Sequence, residues 1–284
     1  MQIMVIPFNL MDERIKRKPE DKSKRLPLVS CLTLTKNRLL LVKQAIECFC
    51  LQSYQNKELV IISAGTKRYQ TALKNHIDTL ERVDINLVLL PKEHIPIGTM
   101  RNISLDQAKG KYICIWDDDD LYHKDRINIQ YSTTVNHQVD ACYLTDHLHW
   151  FDKDRSLYWV NWKRFSTQQS MDCMVPGTLF MKRPLKIRYP EYDHAGEDNI
   201  FRSLVFKNYT VYGLSDYGYL YIYRVHGANQ CPNNHHKLIV KKGCVELSFI
   251  ENKWEQLKEV LTYLKLPMPL LMKGPNEITV YTFN

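Results

Sequence analysis

Between residues 28 and 144, short apolar runs of strand length alternate with longer segments of helical spacing, joined by links of a few residues. LVSCLTL (28–34), ELVII (58–62), INLVLL (85–90) and KYICIW (111–116) are β-prone and bounded by turn-forming residues. Segments 39–52, 68–82, 99–109 and 124–137 carry apolar residues at three-to-four spacing, and VDACYL (139–144) reads as a fifth strand. A strand that is apolar at every position is buried on both faces, as in a parallel sheet covered by helices. The pattern predicts an α/β fold with a mostly parallel central sheet, and a ligand site beyond the carboxyl ends of its strands.

After residue 145 the pattern changes. HLHWFDKDRSLYWVNWKRF (147–165) has an Asp-Lys-Asp-Arg turn between two aromatic arms and predicts a β-hairpin. Cys244, Leu247, Ile250, Trp254, Leu257, Leu261 and Leu264 predict one amphipathic helix over 241–264, packed on the domain because its polar face mixes signs. Residues 12–25, DERIKRKPEDKSKR, offer almost nothing to bury. The expected organisation is a charged N-terminal leader (1–26), one α/β domain (27–240), and a C-terminal helix and tail packed on it (241–284).

The net charge of +8 favours anionic partners: a nucleotide, or peripheral contact with an anionic membrane. No zinc-finger, helix-turn-helix or aromatic–basic RNA-binding pattern is present, so no nucleic-acid partner is expected. Of eight cysteines, Cys31, Cys48, Cys50 and Cys114 fall in apolar runs and no C-x-x-C occurs, which predicts reduced thiols in a cytoplasmic protein. Neither a transmembrane stretch nor a secretory signal pattern is found.

The segment with the most chemistry is KYICIW followed by Asp117, Asp118, Asp119 and Asp120. One aspartate would cap the next helix. Four adjacent carboxylates repel one another and call for a cation, and hard oxygen ligands favour Mn²⁺ or Mg²⁺, the shell being completed by waters or phosphate oxygens. The chain has no P-loop, no G-x-G and no H-E-x-x-H. His147-x-His149 and His235-His236 are pairs of a kind that more often lies at the surface than on a metal.

From about Pro27 to Gln230 the chain resembles the GT-A glycosyltransferases of the large inverting family 2. LPLVSCLTLTKNR is similar to that family's first strand and its threonine–asparagine–arginine loop, here Thr35, Asn37 and Arg38. GTMRNISLDQAKGKYICIWDDDD is similar to the segment running from its arginine–asparagine pair, here Arg101 and Asn102, into the D-x-D site. HAGEDNIF resembles its glutamate–aspartate pair, here Glu197 and Asp198, and YRVHGAN its late arginine/histidine element, here Arg224 and His226. The resemblance implies a GT-A fold, Rossmann-like, and transfer of a sugar with inversion from a nucleotide-sugar to an acceptor hydroxyl of a glycan or lipid-linked glycan. It places Asp117 and Asp119 on the ribose and the metal, with Asp118 beside the nucleotide. Asp120 is an alternative ligand because the register is open by one, and His226 is a further ligand or a donor to the diphosphate. Arg101 and Arg224 would add positive charge at the diphosphate. Asp198, beside Glu197, would be the base.

The family usually has two aspartates before a glycine and serine after its second strand, and here Ser63-Ala64-Gly65-Thr66 stands instead. A UDP-sugar is expected, held by Ser63 and Thr66 in place of a carboxylate, with guanine or thymine left open. Trp150, Tyr158, Trp159 and Trp162 are candidates for stacking on an acceptor sugar. The competing readings are a degenerate GT-A protein that only binds glycan or nucleotide, and a sugar-phosphate nucleotidyltransferase. LTLTKNR lacks the glycine-rich loop of the latter.

Overall fold

The computed structural model describes residues 26–91, 94–166, 170–192, 196–264 and 266–284, which form two sheets with helices against them. The charged leader lies, Leu26 apart, outside the described residues. The first half runs β1 (Val29–Lys36), α1 (Leu39–Cys50), β2 (Lys57–Ala64), α2 (Lys67–Asp78), β3 (Ile85–Leu89), α3 (Ile97–Gln107) and β4 (Tyr112–Ile115). These are the elements that the alternation predicted. Each helix is set by its buried stripe: Val42, Ala45, Ile46 and Phe49 on α1, and Tyr69, Leu73 and Ile77 on α2. The Thr66 hydroxyl caps α2 by accepting the Tyr69 N–H at 3.3 Å.

Then come β5 (Leu121–Tyr122), α4 (Arg126–Asn136), β6 (Ala141–Leu144), β7 (Asp146–Phe151), β8 (Ser156–Asn161), β9 (Phe180–Lys182), α5 (Glu197–Asn208), β10 (Val211–Leu214) and β11 (Tyr221–Val225). The central sheet has the order β10-β6-β9-β4-β1-β2-β3, parallel except at β9. The predicted hairpin is present as antiparallel β7 and β8, turning at Asp152–Arg155, where Arg155 takes φ of +47°. It belongs to a second sheet that runs, from one edge, through two strands near the C-terminus and then β8, β7, β11 and β5.

The single helix expected over 241–264 is instead parts of three: α6 (Asn233–Gly243), α7 (Leu247–Asn252) and α8 (Trp254–Leu264). The break after Gly243 is made by the sheet: Cys244 bridges to Val160 and Val245 N–H donates to the Trp159 carbonyl at 3.0 Å. Apolar spacing continues across such a break and does not reveal it. The chain then adds β12 (Leu270–Lys273), parallel to β8, and β13 (Thr279–Phe283). No helix among the described residues is long and apolar enough to cross a membrane.

Two features position the site. β1 lies between β2 and β4, so the chain leaves β1 on one side and returns on the other, opening a crevice beyond the carboxyl ends of β1 and β4. α3 lies close against the 189–191 segment, since a Cβ on Gly98 would stand 1.8 Å from the Pro190 carbonyl oxygen. Asn102 secures the same contact, accepting the Tyr189 N–H at 2.9 Å and donating to the Glu191 carboxylate at 2.8 Å. Its neighbour Arg101 points into the crevice.

Candidate active site

At the switch point, β1 delivers Asn37 and Arg38 beside the four aspartates that follow β4. The Arg38 guanidinium lies 2.6 Å from Asp118 Oδ1 and 2.6 Å from Asp119 Oδ2. His226, just after β11, brings its Nε2 to 3.1 Å from the same Asp119 oxygen. Asp117 accepts from Arg101 at 3.2 Å, and its main-chain carbonyl accepts the Tyr122 hydroxyl at 2.9 Å. Asp120 turns the other way: one oxygen accepts the Tyr221 hydroxyl and the other the Arg224 N–H at 3.0 Å. Asp120 thereby clamps β11 to the acidic loop, with both of its carboxylate oxygens engaged.

These partners make four adjacent carboxylates unequal. Burial raises the Asp118 carboxyl to about 7, with Asp119 adding to the shift and Arg38 opposing it. Burial also raises Asp117, against Arg101, and raises Asp120 well above the usual range. At Asp119 burial acts in the same sense, but His226 and Arg38 outweigh it and hold the carboxyl below its ordinary value. Asp118 is 1% exposed, and although Arg38 is near, neither of its oxygens receives a donor at a hydrogen-bonding angle. Asp117, Asp118, Asp119 and His226 are residue types that a hard divalent cation takes as ligands, whereas the described residues whose ligand atoms all lie within 4.8 Å of one another are His123, Asp125 and Glu259.

Glu197 and Asp198 open α5, preceded by Gly196 at φ of +114°. Glu197 is 3% exposed and lies 3.7 Å from Arg101 Nε; burial raises its carboxyl and Arg101 opposes that. Arg101 is itself half-buried, but Asp117 and Glu197 more than offset the desolvation and keep it charged. Asp198 is half-buried, accepts the Asn199 N–H at 2.7 Å, and lines a cleft with Arg101, Asp117, Gly177 and Tyr189. The enclosed part of this cleft holds about 30 Å³, the share of one water molecule.

Other predicted residues have structural partners. The Thr35 hydroxyl lies 2.5 Å from the Tyr69 hydroxyl. Asn37, at φ of +55°, accepts the Thr66 N–H at 3.0 Å and so ties the loop after β1 to the loop after β2. Ser63 is fully buried and donates only a long 3.4 Å bond to the Ala64 carbonyl. The Arg224 guanidinium stacks 4.7 Å over Trp150 and donates to Asp152 at 3.0 and 2.6 Å and to Gln44 at 2.6 Å; only its main chain reaches the acidic loop. Trp150, Tyr158 and Trp159 are core side chains and so are not exposed for stacking on a sugar; Trp162 is half-buried. Tyr122, Tyr221 and Gly177 were not legible as site residues, because nothing local marks a tyrosine 101 residues away as the partner of Asp120.

Two histidine groups lie elsewhere. His123, Asp125 and Glu259 come together among the described residues, but the Lys124 ammonium contacts Glu259 and sits 3.6 Å from Asp125, where a cation would stand. Of the two sequence pairs expected at the surface, His235 is exposed, but His147, His149 and His236 converge in a core: each is 1% exposed, with His147 Nε2 3.0 Å from His149 Nδ1. Burial, with His236 adding, pushes His147 down to about 3, and His149 also falls well below its ordinary value. The unfolded chain takes up these protons near pH 6.5 while the folded chain does not, so stability is lost as pH falls below 6.5. For His147 the loss is about 2 kcal/mol at pH 5, from ~1.4 kcal/mol per pH unit. Urea unfolding at pH 7.5 and 5.0 should show the His147→Gln variant less acid-sensitive than wild type by that amount; equal sensitivity would mean His147 is not held neutral.

The model for glycosyl transferase family 2 matches residues 30–184, more than half of the chain. An uncharacterised glycosyltransferase of Haemophilus influenzae is 34% identical over 116 residues, covering 40% of this chain and 45% of the relative. One from Rickettsia felis is 31% identical over 102 residues, 36% of this chain and 16% of the relative. The chain thus matches less than half the length of these relatives. Among solved structures, S. aureus TarS 1–349 in complex with UDP aligns at a TM-score of 0.56 and 15% identity, covering 86% of this chain and 76% of that one. The Pyrobaculum calidifontis mannosyltransferase PcManGT, in complex with GDP-Man and Mn²⁺, aligns at 0.54 and 16%, covering 88% and 72%. With its sheet order, an acidic loop at the switch point and a family match that covers that loop and most of the sheet, the chain belongs to glycosyl transferase family 2 and has the GT-A fold.

Proposed function

We propose that the protein moves a sugar from a nucleotide-sugar to an acceptor hydroxyl, with inversion and with a divalent metal, Mn²⁺ or Mg²⁺. The observation that carries this reading is the convergence of Arg38 and His226 on Asp119, in the loop whose first aspartate, Asp117, lines a cleft together with Asp198. Asp117, Asp118, Asp119 and His226 would hold the metal, which when bound supplies charge neutralisation for the leaving diphosphate. Arg38 and Arg101 would orient the diphosphate, Arg38 by exchanging its aspartates for phosphate oxygens. Asp198 would accept the acceptor hydroxyl's proton as that oxygen bonds the anomeric carbon and the bond from this carbon to the diphosphate breaks. Glu197 holds Arg101 rather than substrate.

A UDP-sugar is the first candidate donor, since neighbours of this fold are named in complexes with UDP and UDP-GlcNAc, although GDP-Man is held by another. With Ser63 buried, base recognition would fall on main-chain groups and Thr66. The acceptor would be a glycan or lipid-linked glycan, reached from the cytoplasmic side, with the +8 charge favouring peripheral contact with an anionic membrane. Isothermal titration of UDP, GDP, TDP and CDP, with Mn²⁺ and with EDTA, tests the reading. One nucleotide should bind only with the metal, and silence across the panel from folded protein would overturn it.

A further inference from the structure

Arg126, the first residue of α4, is 0% exposed and makes no ion pair with a carboxylate among the described residues. Its guanidinium lies 4.8 Å from the ring centre of Tyr122, 5.4 Å from Trp116 and 5.5 Å from Tyr221. Nε donates to Gln130 at 3.1 Å, one terminal nitrogen donates to the Gly177 carbonyl at 3.2 Å, and the other has no partner. A buried cation without a counter-ion is costly, and three ring faces offset it only in part. Its placement therefore calls for an explanation beyond packing.

The groups it touches are those that support the acidic loop. Trp116 leads into Asp117. Tyr122 donates to the Asp117 carbonyl, and Tyr221 donates to the Asp120 carboxylate. Gly177 borders both, since a Cβ there would stand 2.7 Å from the Tyr221 hydroxyl and 3.1 Å from Asp117 Oδ2. We infer that Arg126 is a positioning residue: from beneath the loop it fixes Tyr122, Tyr221 and Gly177 together, and through them sets the carboxylates of Asp117 and Asp120. It also carries a permanent positive charge. Lysine keeps that charge but lacks the planar fork that reaches Gln130 and Gly177 at once and lies flat against the rings.

The inference rests on the metal–nucleotide reading for its effect on binding, so the test has two arms. In the first, Arg126→Lys should weaken Mn²⁺-dependent nucleotide binding by about tenfold or more, the scale for removing support behind metal ligands. Leu257→Ala, a core truncation in α8, should lower the melting temperature and leave binding within about twofold, because a merely structural loss does not move the ligands. In the second arm, hydrogen exchange of the 117–122 and 176–178 amides should quicken in Arg126→Lys and not in Leu257→Ala; this needs no nucleotide. Wild type that binds no nucleotide would sink the functional reading alone, and the exchange arm would still decide the role of Arg126. Unchanged exchange in both segments, or unchanged binding where wild type binds, overturns the inference. Should Arg126→Lys not fold, Gly177→Ala is the second probe. Its Cβ presses on Tyr221 and Asp117 directly, and binding within twofold of wild type would overturn the route through Gly177.

Discussion

Asp198→Asn is expected to cut sugar transfer by about a thousandfold while Mn²⁺-dependent nucleotide binding stays within about twofold, because a positioned general base contributes on the order of 10²–10⁴. The exchange keeps the size of the side chain and an oxygen that can still accept the Asn199 N–H, so α5 should start as before. What is lost is the ability to take a proton. Asp198 is suited to that task by contrast with its neighbour. Glu197 is buried against Arg101, whereas Asp198 faces the cleft beside Asp117 and Gly177. Turnover and nucleotide titration on the same preparation separate the possibilities. If binding falls together with turnover, Asp198 serves the architecture of the helix start and the base lies elsewhere.

The second large effect is expected at Asp119. Asp119→Ala should lower metal-dependent nucleotide affinity at least about a hundredfold, since loss of a direct ligand exceeds the 10- to 100-fold typical of an outer partner. This carboxylate receives both Arg38 and His226 on one oxygen and is the member of the four held below its ordinary pKa, hence the one most fully charged. Asp120→Asn provides the contrast. Its carboxyl binds Tyr221 and the Arg224 N–H, so that substitution should be seen first in the melting temperature. Titration calorimetry with Mn²⁺ and thermal unfolding on both variants test this assignment. Metal-dependent binding that survives Asp119→Ala would remove Asp119 from the metal.

The framework was readable where an element is long enough to show a period. β1 to β4 and α1 to α4 lie where apolar runs and three-to-four spacing put them, because burial on both sheet faces and on one helix stripe selects residues at every turn. β5 and β9, of two and three residues, carry no period and were missed. The break between α6 and α7 was missed for a related reason: a β-bridge from Val160 made it, and Val160 lies 84 residues before Cys244. His147, His149 and His236 show the same limit, since histidine is compatible with surface or core and only the packing of α6 against β8 and the adjoining strands buries them.

For the site, four consecutive carboxylates at the end of an apolar strand are local chemistry, and their demand for a cation follows from repulsion alone. The identity of Asp198, Glu197 and His226 as their companions came from resemblance, since no spacing rule connects residues about a hundred apart. Sequence by itself therefore determined the α/β class, the strand that carries the acidic loop and the sign of charge the loop attracts, because each is a property of neighbouring residues. Only the tertiary structure decided which aspartate faces Arg38 and His226, which one clamps β11, and that Arg224 turns away to Asp152. Those outcomes depend on desolvation and on partners 72 to 107 residues distant, which exist as neighbours only once the sheets have closed around them.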